Sequence, residues 1–111
     1  MTKGLIIHTN GQMEEFDYDE DVKQLQKIVG GYIEPIGFGT KPYFCYANEE
    51  AKILDLEENK IATDLWYNSG QVVMLGDYIA GTVIFFGLIS FEGYDTDYPE
   101  KLIKDLKEYA S

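Results

Sequence analysis

Two segments of this sequence alternate carboxylates with tyrosines, and their residue types and spacing are the best suited to binding a partner. The segments are 17–21 and 92–98. Rigid phenol rings supply contact area, and carboxylates steer a basic partner toward the surface. The same rings could instead be half-buried and cover the edge of a sheet. The first interpretation predicts a protein-binding surface formed by Asp17, Tyr18, Asp19, Asp21, Tyr94, Asp95, Asp97 and Tyr98.

Segment 17–21 also matches the first three ligand positions of a calcium-binding loop. However, Val22 stands at the position of the sharp-turn glycine, and Ile28 stands at that of the bidentate glutamate. His8 is the single histidine, so a site with two histidine ligands is excluded. We therefore predict that this segment caps a helix, and we predict neither a metal site nor a cofactor.

Candidate catalytic groups are few. Cys45 lies between two aromatic residues, which is typical of a buried, unreactive thiol. It could act as a nucleophile only if His8 approached it in space. A carboxylate pair, Glu34 with Glu49 or Glu50, could perform acid–base catalysis if it were buried. Because nothing in the spacing brings these groups together, we predict a protein without enzymatic activity.

A small-molecule or nucleotide site is the alternative function. The loop 37–41 contains two glycines and a lysine, but it lacks the spacing of a P-loop or of a dinucleotide-binding motif. Polar residues that a core does not require occur among aromatic residues that could line a pocket. The residues of this alternative site are Tyr43, Tyr46, Asn48, Asn59, Thr63 and Trp66.

The charge balance indicates the class of partner. Twenty acidic residues against nine lysines, with no arginine, give a formal net charge of −11 over 111 residues. Such a surface repels a phosphate backbone, so we expect no direct binding to nucleic acid. It favours encounter with basic proteins, although a high net charge could also serve solubility alone. Without arginine, the usual bidentate clamp for a phosphorylated ligand is absent.

The remaining composition indicates a cytoplasmic protein. The single cysteine excludes an internal disulfide, and the N-terminus lacks the order of a secretory signal. The longest apolar run, 79–89, is too short to cross a bilayer, so we expect no membrane association.

Helical spacing and punctuation residues predict two helices. One spans about 21–30: an aspartate can cap its first turn, and Gly30 can end it in a left-handed conformation. The other spans about 99–109 and begins near Pro99. A short helical segment within 57–67 is also consistent with the spacing of its apolar residues.

Alternating apolar residues predict a mainly antiparallel sheet. Asn10-Gly11 predicts a hairpin turn between the first two strands. Pro35 cannot donate a ladder hydrogen bond, so its strand, 32–36, is expected at a sheet edge. Further strands are predicted at 43–47, 52–56, 71–75 and 78–87. The result is an α+β fold with a single domain, 1–111. The strand with Pro35, or 43–47, could pair across a homodimer.

The chain resembles a family of small phage, plasmid and bacterial proteins catalogued as domain of unknown function 3846. The resemblance covers Leu5 to Phe91 and depends on Leu25–Glu34, Asn48–Lys52, Asn59–Thr63 and Ile79–Val83. Ala51 stands where the family usually has glycine. The resemblance implies a small α+β domain and a home on a mobile element, and it transfers no catalytic residues.

These observations favour a non-enzymatic binding or inhibitor protein that docks on a basic partner. That partner could itself handle nucleic acid, in which case the carboxylates would imitate phosphates. Small-molecule or nucleotide binding is the alternative function.

Overall fold

The sheet and its helices follow the order expected of an α+β domain. A computed structural model describes residues 1–109 of the chain. Its five strands form one antiparallel sheet with the order β2-β1-β5-β4-β3. This confirms the predicted fold class. In chain order the elements are β1 (Thr2–Ile7), β2 (Met13–Tyr18), α1 (Val22–Val29), β3 (Ile33–Gly37), β4 (Tyr43–Asn48), α2 (Lys60–Tyr67), β5 (Val83–Gly87) and α3 (Glu100–Tyr109).

Helices cover both faces of the sheet. Side chains alternate between the two faces of a strand, so neighbouring residues of β1 join different clusters. Ile7 packs with Leu65 of α2 and Leu102 of α3. Ile6 packs instead with Leu25 of α1. The central strand β5 is buried along its whole length, as a strand covered on both faces must be.

Local signals define α1 as the sequence predicts. The Asp21 carboxylate accepts a hydrogen bond from the backbone N–H of Lys23 at 3.1 Å, which caps the first turn. Gly30 ends the helix with φ 86°, and its N–H donates to the carbonyl of Gln26. A left-handed residue at this position is most easily a glycine. The predicted helix at 21–30 is confirmed.

The two edge strands, β2 and β3, also agree with prediction. Asn10-Gly11 turns the chain between β1 and β2, with Gly11 at φ 89°. Pro35 lies in the edge strand β3. The carbonyl of Tyr32 accepts from Glu49, so alternation along the strand directs the nitrogen of Pro35 away from β4. A residue without an N–H is tolerated there.

Part of the strand prediction is wrong. Segment 52–56 lies in hydrogen-bonded turns, in which the N–H of Leu56 donates to the carbonyl of Ala51. Segment 71–75 is an irregular loop. The last strand begins at Val83 rather than at 78, because Gly81 adopts φ 83° and interrupts the extended conformation. Helix α2 resolves the ambiguous segment 57–67.

β4 is an inner strand of the sheet and not the edge strand that a homodimer through 43–47 would need. β4 pairs with β3 on one side and with β5 on the other, so 43–47 has no free edge for a second copy. On β3, the carbonyl of Gly37 accepts a hydrogen bond from the indole N–H of Trp66 at 3.1 Å. Together with Pro35, this contact leaves little of the outer edge of β3 open to strand pairing.

Candidate functional site

The two acidic segments meet at one end of the sheet. Lys3 at the start of β1 lies opposite Asp17 in β2. On its other side, the N–H of Lys3 donates to the carboxylate of Asp97 at 2.8 Å, and its carbonyl accepts from Tyr98 at 3.0 Å. The backbone of β1 therefore holds both segments in place. We call residues 15–21 and 95–98 the acidic end.

Two further side chains join the segments. The hydroxyl of Thr2 lies within 3.2 Å of a Glu20 carboxylate oxygen and 3.4 Å of the carbonyl of Asp95. The hydroxyl of Tyr46, from β4, donates to the Asp95 carboxylate at 3.0 Å. Residues separated by more than 70 positions in the chain are therefore fixed next to one another.

Negative charge at the acidic end is largely uncompensated. It carries seven carboxylates: Glu15, Asp17, Asp19, Glu20, Asp21, Asp95 and Asp97. In the part of the chain that the structure describes, the ammonium ion paired with them is that of Lys3, which lies 2.7 Å from Asp17 and 3.7 Å from Glu15.

The pKa values respond to this arrangement. The hydrogen bond from Lys3 lowers the pKa of Asp17. Burial raises the pKa of Asp95, and repulsion from Glu20 raises it further against the opposing hydrogen bond from Tyr46. The pKa of Asp95 is therefore raised mainly by burial, with a smaller contribution from the neighbouring negative charge.

The tyrosines of the predicted binding surface have different roles. Tyr18 is 5% exposed, and its ring centroid lies 5.6 Å from that of Phe86, so it belongs to the core beneath α1. Tyr98 is half-buried and donates its hydroxyl to Glu15. Tyr94 is 60% exposed and remains available for contact. The alternative interpretation, of rings that cover the sheet, therefore holds for Tyr18 and Tyr98.

The residues of the alternative ligand site do not converge. Tyr43 is buried, and its hydroxyl donates to Asp105 at 2.7 Å. Asn59 caps α2 and donates to two buried carbonyl groups. Thr63 accepts a hydrogen bond from the N–H of Ile79 at 3.0 Å. Tyr46 lies on the opposite face of the sheet, where it lines a separate apolar pocket. The contacts of Tyr43, Asn59 and Thr63 are those of structural residues.

The other two residues, Asn48 and Trp66, line a cavity of about 380 Å³ beside the edge strand β3. The sequence did not identify three other lining residues, Lys52, Asp77 and Tyr78. Lys52 and Tyr78 lie outside the strands of the structure, although the periodicity predicted them in strands, and Asp77 lies between two predicted strands. A pocket beside Asn48 is nevertheless the feature that favours ligand binding over a smooth surface.

The fold brings one candidate catalytic pair together, Glu34 with Glu49, but not in the buried setting that acid–base catalysis was expected to need. Glu34 and Glu49 both line the cavity, but both are exposed rather than buried as acid–base catalysis would require. Cys45 is 0% exposed, and burial raises the pKa of its thiol. His8 is hydrogen-bonded at 3.0 Å to Glu14.

Residues 1–109 contain no group of three histidine, cysteine or acidic residues able to hold a metal ion. Nor does this range include a helix long and apolar enough to span a bilayer.

Comparison with known proteins identifies a family without identifying an activity. The family model described as "Domain of unknown function (DUF3846)" matches residues 1–111, the whole chain. This match confirms the resemblance seen in the motifs. No curated protein and no solved structure matches the chain.

Proposed function

We propose that this chain, which belongs to the family described as domain of unknown function (DUF3846), is a binding protein that docks its acidic end on a basic protein. The observation that carries the proposal is the meeting of two distant acidic segments around Lys3, where one lysine ammonium forms ion pairs among seven carboxylates. A fold alone does not require that concentration of charge, because like charges at short range oppose folding.

The acidic end is suited to fast recognition of a positively charged surface. Exposed carboxylates attract a basic partner over roughly a Debye length, about 8 Å at physiological ionic strength. The hydrogen bonds of Lys3 and Tyr46 hold the two segments before any partner arrives. Little ordering is then needed on binding, which favours affinity.

A sharper form of the proposal makes the protein an inhibitor. A basic partner that handles nucleic acid would present lysines and arginines to phosphates, and the carboxylates of the acidic end would compete for them. A phage or mobile-element protein acting in the cytoplasm of a bacterial host would meet many such partners. No step of this function needs a cofactor or catalysis.

The test is affinity capture from nuclease-treated bacterial lysate with a variant that neutralises the acidic end. Asparagine replaces the five aspartates and keeps an oxygen for each of their hydrogen bonds, which preserves the fold. A control variant changes the charge equally elsewhere, at exposed residues 55, 57, 58, 64 and 108. The substitutions of the test variant are Asp17→Asn, Asp19→Asn, Asp21→Asn, Asp95→Asn and Asp97→Asn.

We expect a basic protein that the native chain and the control variant retain, that the test variant loses, and that elutes as salt rises. Equal retention by the test variant and the native chain would refute docking through the acidic end. For the inhibitor form, added duplex DNA should displace the captured protein. Indifference of the complex to DNA would leave docking intact and refute the competition.

A further inference from the structure

A second site lies at the other edge of the sheet, independent of the docking proposal. The cavity of about 380 Å³ is bounded by β3, by the turns 48–53 and by the residues that precede β5. This volume lies within the range of small-molecule sites. The acidic end adjoins β2, whereas the cavity adjoins β3, the opposite edge strand.

The cavity carries excess negative charge. Glu34, Glu49 and Asp77 contribute carboxylates, and Lys52 contributes the opposing ammonium ion. Lys52 pairs with Asp77. Within residues 1–109, Glu34 and Glu49 have no cationic group within 4 Å. Partial burial first, and then the charge of Glu49, raise the pKa of Glu34, and the more distant ammonium of Lys52 offsets this only in part.

Aromatic side chains complete the lining. Trp66 and Tyr78 both reach the cavity. The ammonium of Lys52 lies 4.8 Å from the ring centroid of Tyr78, a cation–π contact, while it also pairs with Asp77. An ammonium ion held between an aromatic face and a carboxylate is therefore already present at one side of the cavity.

We propose that the cavity binds a small organic cation, in which a primary ammonium group is attached to an apolar body. Glu34 and Glu49 would take the ammonium group. The apolar walls, which include Ile36, Ile79 and Ala80, would take the body of the ligand. Nucleotides and other anions are disfavoured because they would face three carboxylates.

Intrinsic fluorescence reports on this site directly, because Trp66 is the single tryptophan of the chain. The probe is 2-phenylethylammonium, titrated to 20 mM at constant ionic strength. Matched probes of similar shape are 2-phenylethanol, which is neutral, and 3-phenylpropionate, which is an anion. We expect a saturable change in Trp66 emission with the cation, weaker binding of the alcohol, and none of the anion. No saturation with the cation, or equal binding of the alcohol, would overturn the proposal.

Substitutions test which charged side chains of the cavity interact with the bound cation. Glu34→Gln and Glu49→Gln should each weaken binding of the cation about threefold to fivefold, the range of a partly exposed ion pair. Glu14→Gln, an equal change on β2, should leave binding unaltered. Lys52→Gln should strengthen binding about threefold, because it releases Asp77 and the face of Tyr78. Lys27→Gln is its control. Equal effects in the test and control variants would mean that binding depends only on the net charge of the protein, and this would overturn the proposal.

The last test is where on the protein the cation binds. Amide chemical shifts of the native protein should change on addition of the cation at 34, 36, 37 and 47–52, and not at 17–21 and 95–97. Shifts confined to the acidic end would mean diffuse counter-ion binding and would overturn the cavity site. Neither result bears on docking to a basic protein, so the two proposals can fail separately.

Discussion

A buried carboxylate anchors the C-terminal helix, and its removal gives a quantitative test of the fold. The side chain of Asp105 in α3 is 1% exposed. It accepts a hydrogen bond from the hydroxyl of Tyr43 at 2.7 Å and lies 3.3 Å from the ammonium of Lys41 and 3.0 Å from that of Lys101. Burial alone would raise the pKa of Asp105, but these three donors, Tyr43 first, hold it below its usual value.

The perturbation is Tyr43→Phe, which deletes one hydroxyl and keeps the ring. The ring would stay packed against Phe38 and Phe85, whose centroids lie 5.6 and 5.9 Å away. A hydrogen bond to a charged group contributes about 1.5–3 kcal/mol. The free energy of unfolding should therefore fall by about 2 kcal/mol, which lowers the Tm of a domain of this size by about 10 °C.

The assay is urea and thermal unfolding followed by circular dichroism, with Tyr32→Phe as the matched control. Tyr32 is 69% exposed, so its hydroxyl is expected to contribute less than about 0.5 kcal/mol. The contribution of Asp105 should also depend on pH. Because its pKa is lower in the folded than in the unfolded chain, its stabilisation is complete above about pH 4 and is lost as pH falls through the folded value.

Two results would refute this account. A loss below about 0.5 kcal/mol in Tyr43→Phe would mean that the hydroxyl does not matter to the buried carboxylate. Stability of the native protein that falls no more steeply in acid than that of Asp105→Asn would mean that the carboxylate is not stabilised in the folded state.

Three other residues give shorter predictions, each read from the same unfolding curves or from thiol labelling. Gly39→Ala should lower the free energy of unfolding by more than about 2 kcal/mol, because a Cβ there would lie 2.4 Å from the carbonyl oxygen of Ser69. Gly70→Ala is the control: Gly70 also has a positive φ but lies in open space, so the loss should be about 1 kcal/mol. Equal losses in the two variants would contradict the clash. Asn59→Asp should lower the free energy of unfolding by about 3 kcal/mol, because it buries a charge and removes two hydrogen-bond donors. A loss below about 1 kcal/mol would argue against a buried charge at this position. Cys45 should react with a disulfide reagent at the rate of global unfolding, and fast labelling of the native protein would contradict its burial.

The elements that the sequence predicted well are those with local punctuation. Asp21 and Gly30 mark the ends of α1 through bonds to residues two and four positions away. Pro35 is also a local signal. Because it has no N–H to donate, its nitrogen must face away from the neighbouring strand, which is possible in an edge strand.

The segments that the sequence mispredicted lack such signals. Val72, Met74 and Leu75 are apolar but between 80% and 101% exposed, so their alternation has no core face behind it. Tyr18 falls in an acidic segment that the sequence predicts as a binding surface, whereas it is the last residue of β2. The alternation of Phe16 and Tyr18 with acidic residues was the available signal that β2 continues.

Neither site could be assembled from the sequence alone, for a physical reason. The acidic end depends on hydrogen bonds between residues 2–3 and 95–98, and the cavity depends on loops packed beside β3. Contacts between residues so far apart in the chain produce no periodic pattern in the sequence. The sequence could supply the residue types of the acidic end, but not the fact that the two segments meet.

Charge and fold are separable at the acidic end, which is why its charge invites a functional explanation. Asp21, Asp95 and Asp97 act structurally as hydrogen-bond acceptors, and an asparagine oxygen accepts the same bonds without a charge. Burial of its charge, together with repulsion from Glu20, raises the pKa of Asp95, and neutralisation would remove both costs. At these three positions the fold therefore needs the oxygens and not the charges. Solubility depends on the total charge, whereas docking depends on where the charge lies, so two variants of equal charge separate these explanations.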